Sequence, residues 1–223
     1  MACAHIIWDF NGTLLNDLPA AMAAVTDMLR LRGGPDMTAE WYYSLVEMPI
    51  IRFYQKIPLL ADVPFDTITR EFNDGYARHG NRITLGPGAR PVLGTLRAAG
   101  VQQTILSSFQ QRLIEGWIEH FGVGYYFDTV LGADDLRSES KIDRARSWAE
   151  AISLDRDSAV LVGDTIHDWE AAQALGVRCV LVSYGHQSRR QLAACGVPII
   201  DDLAYLPPLL VSMGLLTEEE LLL

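Results

Sequence analysis

Lysine is nearly absent from this chain: only Lys56 and Lys141 stand against sixteen arginines, so each lysine poses a separate question. Cysteine is scarce too. Cys3, Cys179 and Cys195 are odd in number and lack Cys-x-x-Cys or other metal-ligand spacing. That argues against a disulfide framework or a thiolate metal site, and reads as reduced thiols of a cytoplasmic protein. No apolar run approaches the length of a membrane span. The start, Met1 to His5, lacks the basic residues and apolar stretch of a secretory signal. Positive charge is in deficit, with a formal net charge of −10. General binding to nucleic acid or an anionic membrane needs a basic footprint, so neither is expected. A small anionic substrate is compatible with this balance if the site supplies local positive charge. What the chain does have is apolar material: 49% of its 223 residues are hydrophobic. That suffices for one packed core and a small insertion.

The first informative stretch runs from Ile6 to Leu15. A short apolar run stops abruptly at Asp9-Phe10-Asn11-Gly12-Thr13 and then returns to leucines. Such a run, bounded by turn chemistry, reads as a buried strand. Asp9 then sits at its carboxyl end, where open α/β sheets bind ligands. Asn-Gly is also a common turn pair, and an ordinary β-turn is the plain alternative.

From Leu18 to Leu31 the apolar spacing becomes helical and ends at Gly33-Gly34-Pro35. Thr38 is placed to cap a further helix that carries Trp41, Tyr42, Leu45 and Val46. Segments from Ile50 and from Phe65 to Gly80 continue the helical pattern, so residues 16–83 read as an all-helical insertion. Beyond Gly86-Pro87-Gly88 the pattern alternates: helix to Ala99, strand Gln102–Leu106, helix to Phe121, strand Thr129–Gly132. It continues with helix Lys141–Ile152, strand Ala159–Val162, helix Trp169–Leu175 and strand Cys179–Val182, with Ile199-Ile200 as a last short strand. The last ten residues read as a terminal helix or tail. Alternation of this kind predicts an α/β fold: a doubly wound, Rossmann-like parallel sheet over residues 1–15 and 84–223, with the helical cap at 16–83.

A second strand end repeats the chemistry of the first. Val160-Leu161-Val162 runs into Gly163-Asp164-Thr165-Ile166-His167-Asp168. Parallel strands share polarity, so Asp9 and Asp164 should meet on one edge of the sheet. Carboxylates gathered there repel unless a cation lies between them, and an oxygen-only donor set suits Mg²⁺. Helix capping by Asp164 and Asp168 is the plain alternative. Ser107 ends the strand Thr104-Ile105-Leu106, and Lys141 opens a helix after the polar loop 134–140.

Asp, Ser, Lys and Asp on successive strand ends resemble the four motifs of the haloacid dehalogenase-like superfamily. Asp9-Phe10-Asn11-Gly12-Thr13 is similar to the first motif, Ser107 to the second, Lys141 to the third, and Gly163-Asp164-Thr165-x-x-Asp168 to the fourth. The layout is most similar to the phosphoglycolate phosphatase-like branch with a helical cap. The resemblance implies a Mg²⁺-dependent phosphatase acting on a small phosphorylated metabolite. Asp9 would attack phosphorus, and Asp9, the backbone carbonyl of Asn11, Asp164 and Asp168 would attend the metal. Ser107 and Lys141 would hold the phosphoryl group. Gly12, Thr13 and Ser108 would add contacts. Arg52 of the cap is a candidate to face a second anionic group, with solvated surface as the favoured plain reading.

One position departs from the pattern. Phosphatases of this family carry a second Asp two residues after the nucleophile, which protonates the leaving group and later activates water. Here that residue is Asn11, and an amide exchanges no proton near neutral pH. Loss of such help typically costs about 10²–10⁴-fold. His5, His79, His167 and His186 are candidate donors, with His167 favoured because it lies inside the fourth motif. A phosphate-binding or regulatory protein with little turnover is the alternative. A dehalogenase is disfavoured by the metal-type fourth motif, and a phosphonatase would need Lys56 as its Schiff base.

Overall fold

The computed structural model describes residues 4–133 and 141–222. Cys3 and the polar loop 134–140 lie outside them. Strand β1, His5–Trp8, is buried along its whole length. Antiparallel β2, Leu15–Asn16, follows at once and pairs with β3, Thr84–Leu85. Between them lie α1 (Leu18–Arg30), α2 (Ala39–Leu45), α3 (Ile51–Gln55) and α4 (Phe65–Arg78). The chain thus leaves and re-enters the sheet region through a two-stranded ribbon, which the sequence pattern does not reveal.

The remaining elements alternate: α5 (Ala89–Ala98), β4 (Gln102–Gln110), α6 (Gln111–Phe121), β5 (Thr129–Ala133) and α7 (Lys141–Ala151). They continue with β6 (Ala159–Gly163), α8 (Ile166–Leu175), β7 (Arg178–Val182), α9 (Arg189–Leu192), β8 (Ile199–Ile200) and α10 (Leu206–Ser212). Among the described residues the main sheet has six strands in the order β5-β4-β1-β6-β7-β8. Every pairing in it is parallel. The chain therefore has the expected α/β architecture, a doubly wound parallel sheet flanked by helices.

Alternation along the strands divides the core in two. Ile6, Trp8, Val160 and Val162 join one apolar cluster with helices α1, α5 and α10. Ile7 and Leu161 point the other way, into a cluster with α7 and α8. This is the period-2 consequence of a strand buried on both faces. The helices between β2 and β3 have their own cluster, which includes Val25, Met28, Leu29, Tyr42, Phe53, Ile57, Leu60 and Ile68. Helices α1 and α4 approach closely at Gly75, where a Cβ would lie 3.0 Å from Ala24 Cα. Helix α10 lies in a stretch to which the sequence pattern assigns no element. Its Leu206-Pro207-Pro208 start looks like a break in sequence, but proline is tolerated in a helix's first turn, and Leu206 and Leu210 are buried.

Candidate active site

The site is assembled by strand register. Trp8 is level with Ile105 on β4 and with Val162 on β6. Asp9, Ser107 and Asp164 consequently leave the sheet at the same carboxyl edge, and all three are buried. On β4 the pairing with β5 jumps from Leu106 to Gln110, which bulges Ser107–Phe109 out of the ladder. Bulges of this kind re-aim side chains beside active sites. Lys141 enters from the first residue of α7.

Carboxylate atoms of Asp9, Asp164 and Asp168 lie within 4.8 Å of one another, and all three residues are buried. Lys141 Nζ donates to Asp9 Oδ1 and, at 2.6 Å, to Asp168 Oδ1. One lysine against three carboxylates leaves the cluster over-supplied with negative charge. Burial and the neighbouring Asp168 hold the Asp9 carboxyl well above the usual carboxylate range, in spite of Lys141. Burial, against the pull of His186, pushes Asp164 up to about 6. Asp168 goes the other way: burial opposes its charge, but Lys141 and the Thr165 hydrogen bond prevail and lower it. An oxygen-only cluster with a charge deficit is what a hard divalent cation fits.

Capping and a place in the acid cluster are not competing readings of Asp168. Its Oδ2 accepts from Thr165 Oγ1 at 2.7 Å, Thr165 N at 3.0 Å and Asp164 N at 3.1 Å, closing a capping box at the start of α8. Its Oδ1 faces Lys141. The cap thereby fixes the carboxylate that the lysine needs.

Two expected phosphate contacts are committed elsewhere. Gly12 N donates to Asp17 Oδ1 at 2.8 Å, and Thr13 Oγ1 donates to Asp164 Oδ1 at 3.2 Å. The first ties the loop after β1 to Asp17, and the second ties it to Asp164 of the acid cluster. The value of Gly12 lies in its conformation: φ is +77°, and a Cβ there would sit 2.1 Å from Asp164 Oδ2. Gly12→Ala is expected to cost about 1–3 kcal/mol in backbone strain and to weaken metal affinity by displacing Asp164. Denaturant unfolding and a magnesium titration measure the two effects. Ser107 is buried and its Oγ accepts from Phe109 N at 3.1 Å, while Ser108 is half-buried. Arg52 is exposed on α3. Lys56 makes an exposed 2.7 Å ion pair with Glu47, an arrangement that does not suit a Schiff-base lysine.

A model of haloacid dehalogenase-like hydrolases matches residues 6–182. The chain belongs to the haloacid dehalogenase-like hydrolase family. A phosphoglycolate phosphatase of Pseudomonas fluorescens is 29% identical over 213 residues, covering 91% of this chain and 78% of the relative. The phosphoglycolate phosphatase of Pseudomonas putida is 28% identical with the same coverage. Among solved structures, a haloacid dehalogenase-like hydrolase from Streptococcus pneumoniae superposes with a TM-score of 0.81. It is 17% identical, covers 93% of this chain and is itself covered to 98%, so what it shares is the fold.

This family member carries a polar network that sequence reasoning missed. Asp17 precedes α1 where a helix-capping residue belongs, yet its side chain caps nothing there. Instead its carboxylate accepts from Gly12 N, from Asn11 Nδ2 at 2.8 Å, from Tyr76 Oη at 2.8 Å, and meets His186 Nε2 at 3.1 Å. Burial alone would raise Asp17; the His186 charge and these hydrogen bonds outweigh it and hold it low. His186 is pushed up to about 9, because Asp17, Asp164 and Asp9 overcome the burial that would lower it. Its Nδ1 lies 2.9 Å from Tyr42 Oη, and Tyr43 Oη donates to Gly185 O at 3.2 Å. Three tyrosines from the helices between β2 and β3 thus reach the loop after β7 and Asp17. Of the candidate histidines, His167 pairs with Glu170, His79 with Asp27 and His5 with Thr104. His186 is the one in the network. The carboxyl-edge rule, applied to β7, would have pointed to it.

Proposed function

We propose that this chain is a Mg²⁺-dependent phosphatase that hydrolyses a small phosphomonoester of the phosphoglycolate type through an aspartyl-phosphate at Asp9. The observation that carries the reading is a cluster of three buried carboxylates, two of which share one buried lysine. Asp9, the Asn11 backbone carbonyl and Asp164 would hold the ion. Asp168, with Lys141 on one oxygen and three donors of the α8 capping box on the other, would support it from outside. When bound, the metal supplies positive charge that screens the phosphoryl group from the carboxylates. Lys141 aligns Asp9 and offers its charge to the transferring group, and Ser107 donates a hydrogen bond to it. The cap, anchored by Tyr42, Tyr43 and Tyr76, excludes water from the attack. No helix among the described residues is long and apolar enough to cross a membrane. With the acidic net charge, that supports a cytoplasmic enzyme of small metabolites with neither nucleic acid nor membrane as partner. The relatives' names support the substrate class, and Asn11 is the observation that favours slow turnover.

The test is phosphate release from a panel that includes phosphoglycolate, with Mg²⁺ and with a chelator. Release that survives metal removal, or no release from any compound, rejects the reading. A pH arm checks the metal site without activity. A carboxyl whose folded pKa is raised from 3.8 to about 6 costs the metal-free fold stability as pH rises across that window. Mg²⁺ stabilises in proportion to its affinity, and protons compete for Asp164. The magnesium-induced rise in melting temperature is therefore expected to be larger at pH 7.5 than at pH 5.

A further inference from the structure

The proton-bearing side chains around Asp9 are already engaged by other protein groups. Lys141 donates to Asp9 and Asp168, the Thr13 hydroxyl to Asp164, and the Thr165 hydroxyl to Asp168. Tyr76 Oη donates to Asp17, and His186 has one ring nitrogen on Asp17 and the other on Tyr42. Asn11 Nδ2 donates both to Asp17 and, at 3.2 Å, to Tyr76 Oη. Ser107 keeps a hydroxyl that can donate a hydrogen bond, but an aliphatic alcohol yields no proton near neutral pH. The group left over is an acceptor: Asn11 Oδ1 is buried and receives no hydrogen bond among the described residues.

The amide orientation is dictated by its neighbours. Reversing it would set Oδ1 against the Asp17 carboxylate at 2.8 Å, oxygen against oxygen. A buried acceptor without a donor is costly, so it is retained where a ligand or water completes it. The described residues thus present an unsatisfied acceptor two residues from Asp9 in the chain, while the acids named above all have partners.

We infer that this chain prefers phosphate compounds whose leaving oxygen departs without a proton, acyl and aryl phosphates, over alkyl phosphomonoesters such as phosphoglycolate. The inference rests on the phosphatase reading and shifts its preferred substrate class away from phosphoglycolate itself. In the first step an Asp9 oxygen bonds to phosphorus, and the bond to the leaving oxygen breaks. That oxygen keeps the electron pair and leaves as a carboxylate or phenolate. In the second, water bonds to phosphorus and the Asp9–phosphorus bond breaks. Asp9 regains its electron pair, and both water protons leave on the released phosphate. Asn11 Oδ1 accepts a hydrogen bond from that water and orients it without removing its proton, so this step is slow.

The test is kcat/KM of the magnesium-loaded protein for acetyl phosphate, for aryl phosphates of graded phenol acidity, and for phosphoglycolate. Acetyl and p-nitrophenyl phosphate are expected to exceed phosphoglycolate by about 10²–10⁴-fold, the span that general acid–base help normally covers. A burst approaching one p-nitrophenolate per enzyme is expected from the slow second step. Asn11→Asp should shrink the gap by raising phosphoglycolate turnover. A flat dependence on leaving-group acidity overturns the inference alone. So does a flat dependence that becomes steep in His186→Gln, which would give the proton to the histidine. No phosphate from any compound overturns the inference and the phosphatase reading together.

Discussion

Asp9→Asn is expected to abolish phosphate release, a loss on the order of 10⁶-fold, the scale seen when an enzyme's nucleophile is removed. The same substitution is expected to raise the melting temperature of the metal-free protein. These opposite signs follow from one fact. Burial and the charge of Asp168 hold the Asp9 carboxyl well above its usual range, and Lys141 offsets them only in part. An amide of the same shape carries no charge to bury, and it still accepts from Lys141. For a chain of this size each kcal/mol of relieved repulsion raises the melting temperature by about 2–4 °C. The stabilisation should vanish when Mg²⁺ is added, because the cation neutralises the wild-type cluster and the variant has lost a ligand. Thermal melts with and without Mg²⁺, beside a phosphate-release assay, read all three effects. Retained turnover would move the nucleophile elsewhere. A lower melting temperature without metal would mean that the Lys141 attraction outweighs burial and repulsion.

The strand-end carboxylates were legible because their signal is local. An apolar run that stops at Asp9 or at Gly163-Asp164 declares both a strand and a polar edge, and parallel polarity then brings the edges together. Lys141 stood out through rarity. The Asp17 network was hidden because each member has an ordinary local reading. Asp17 before Leu18-Pro19 reads as a helix cap, Tyr76 as a helix-face aromatic, and His186 as one of four candidate histidines with nothing local to single it out. Their meeting depends on how α4 crosses the nucleophile loop and on where β7 ends, neither of which is encoded within a ten-residue window. The hydrogen bonds of Gly12 N to Asp17 and of Thr13 Oγ1 to Asp164 were hidden for a related reason. Spacing gives a group's address, but not the competing acceptors Asp17 and Asp164 that reach it first. Of the ribbon of β2 and β3, only two residues on each side pair, too few to show any periodicity.

The chain's two lysines should respond to the same substitution at opposite extremes. Lys141→Met keeps the volume of the side-chain stem and removes the charge. Lys141 is 3% exposed and is the cation that both Asp9 and Asp168 accept from. Breaking a buried pair from one side leaves uncompensated charge, at a cost of about 3–5 kcal/mol. At about 2–4 °C per kcal/mol the melting temperature should fall by roughly 6–20 °C, and phosphate release should be lost. The loss should be greater at pH 8 than at pH 5. Asp168 is held low chiefly by Lys141 against burial, so without the lysine its pKa rises and at low pH it can take up a proton. Lys141→Arg should not restore turnover, because a planar guanidinium does not fit a site built around a point charge shared by two carboxylates. At Lys56 the partner Glu47 is about as solvated as the lysine, with side chains 42% and 35% exposed. Such pairs contribute about 0–1 kcal/mol, so Lys56→Met should leave stability and turnover nearly unchanged. If Lys141→Met melts as Lys56→Met does, the acid cluster is neutralised by something other than this lysine, and its place at the centre of the site falls.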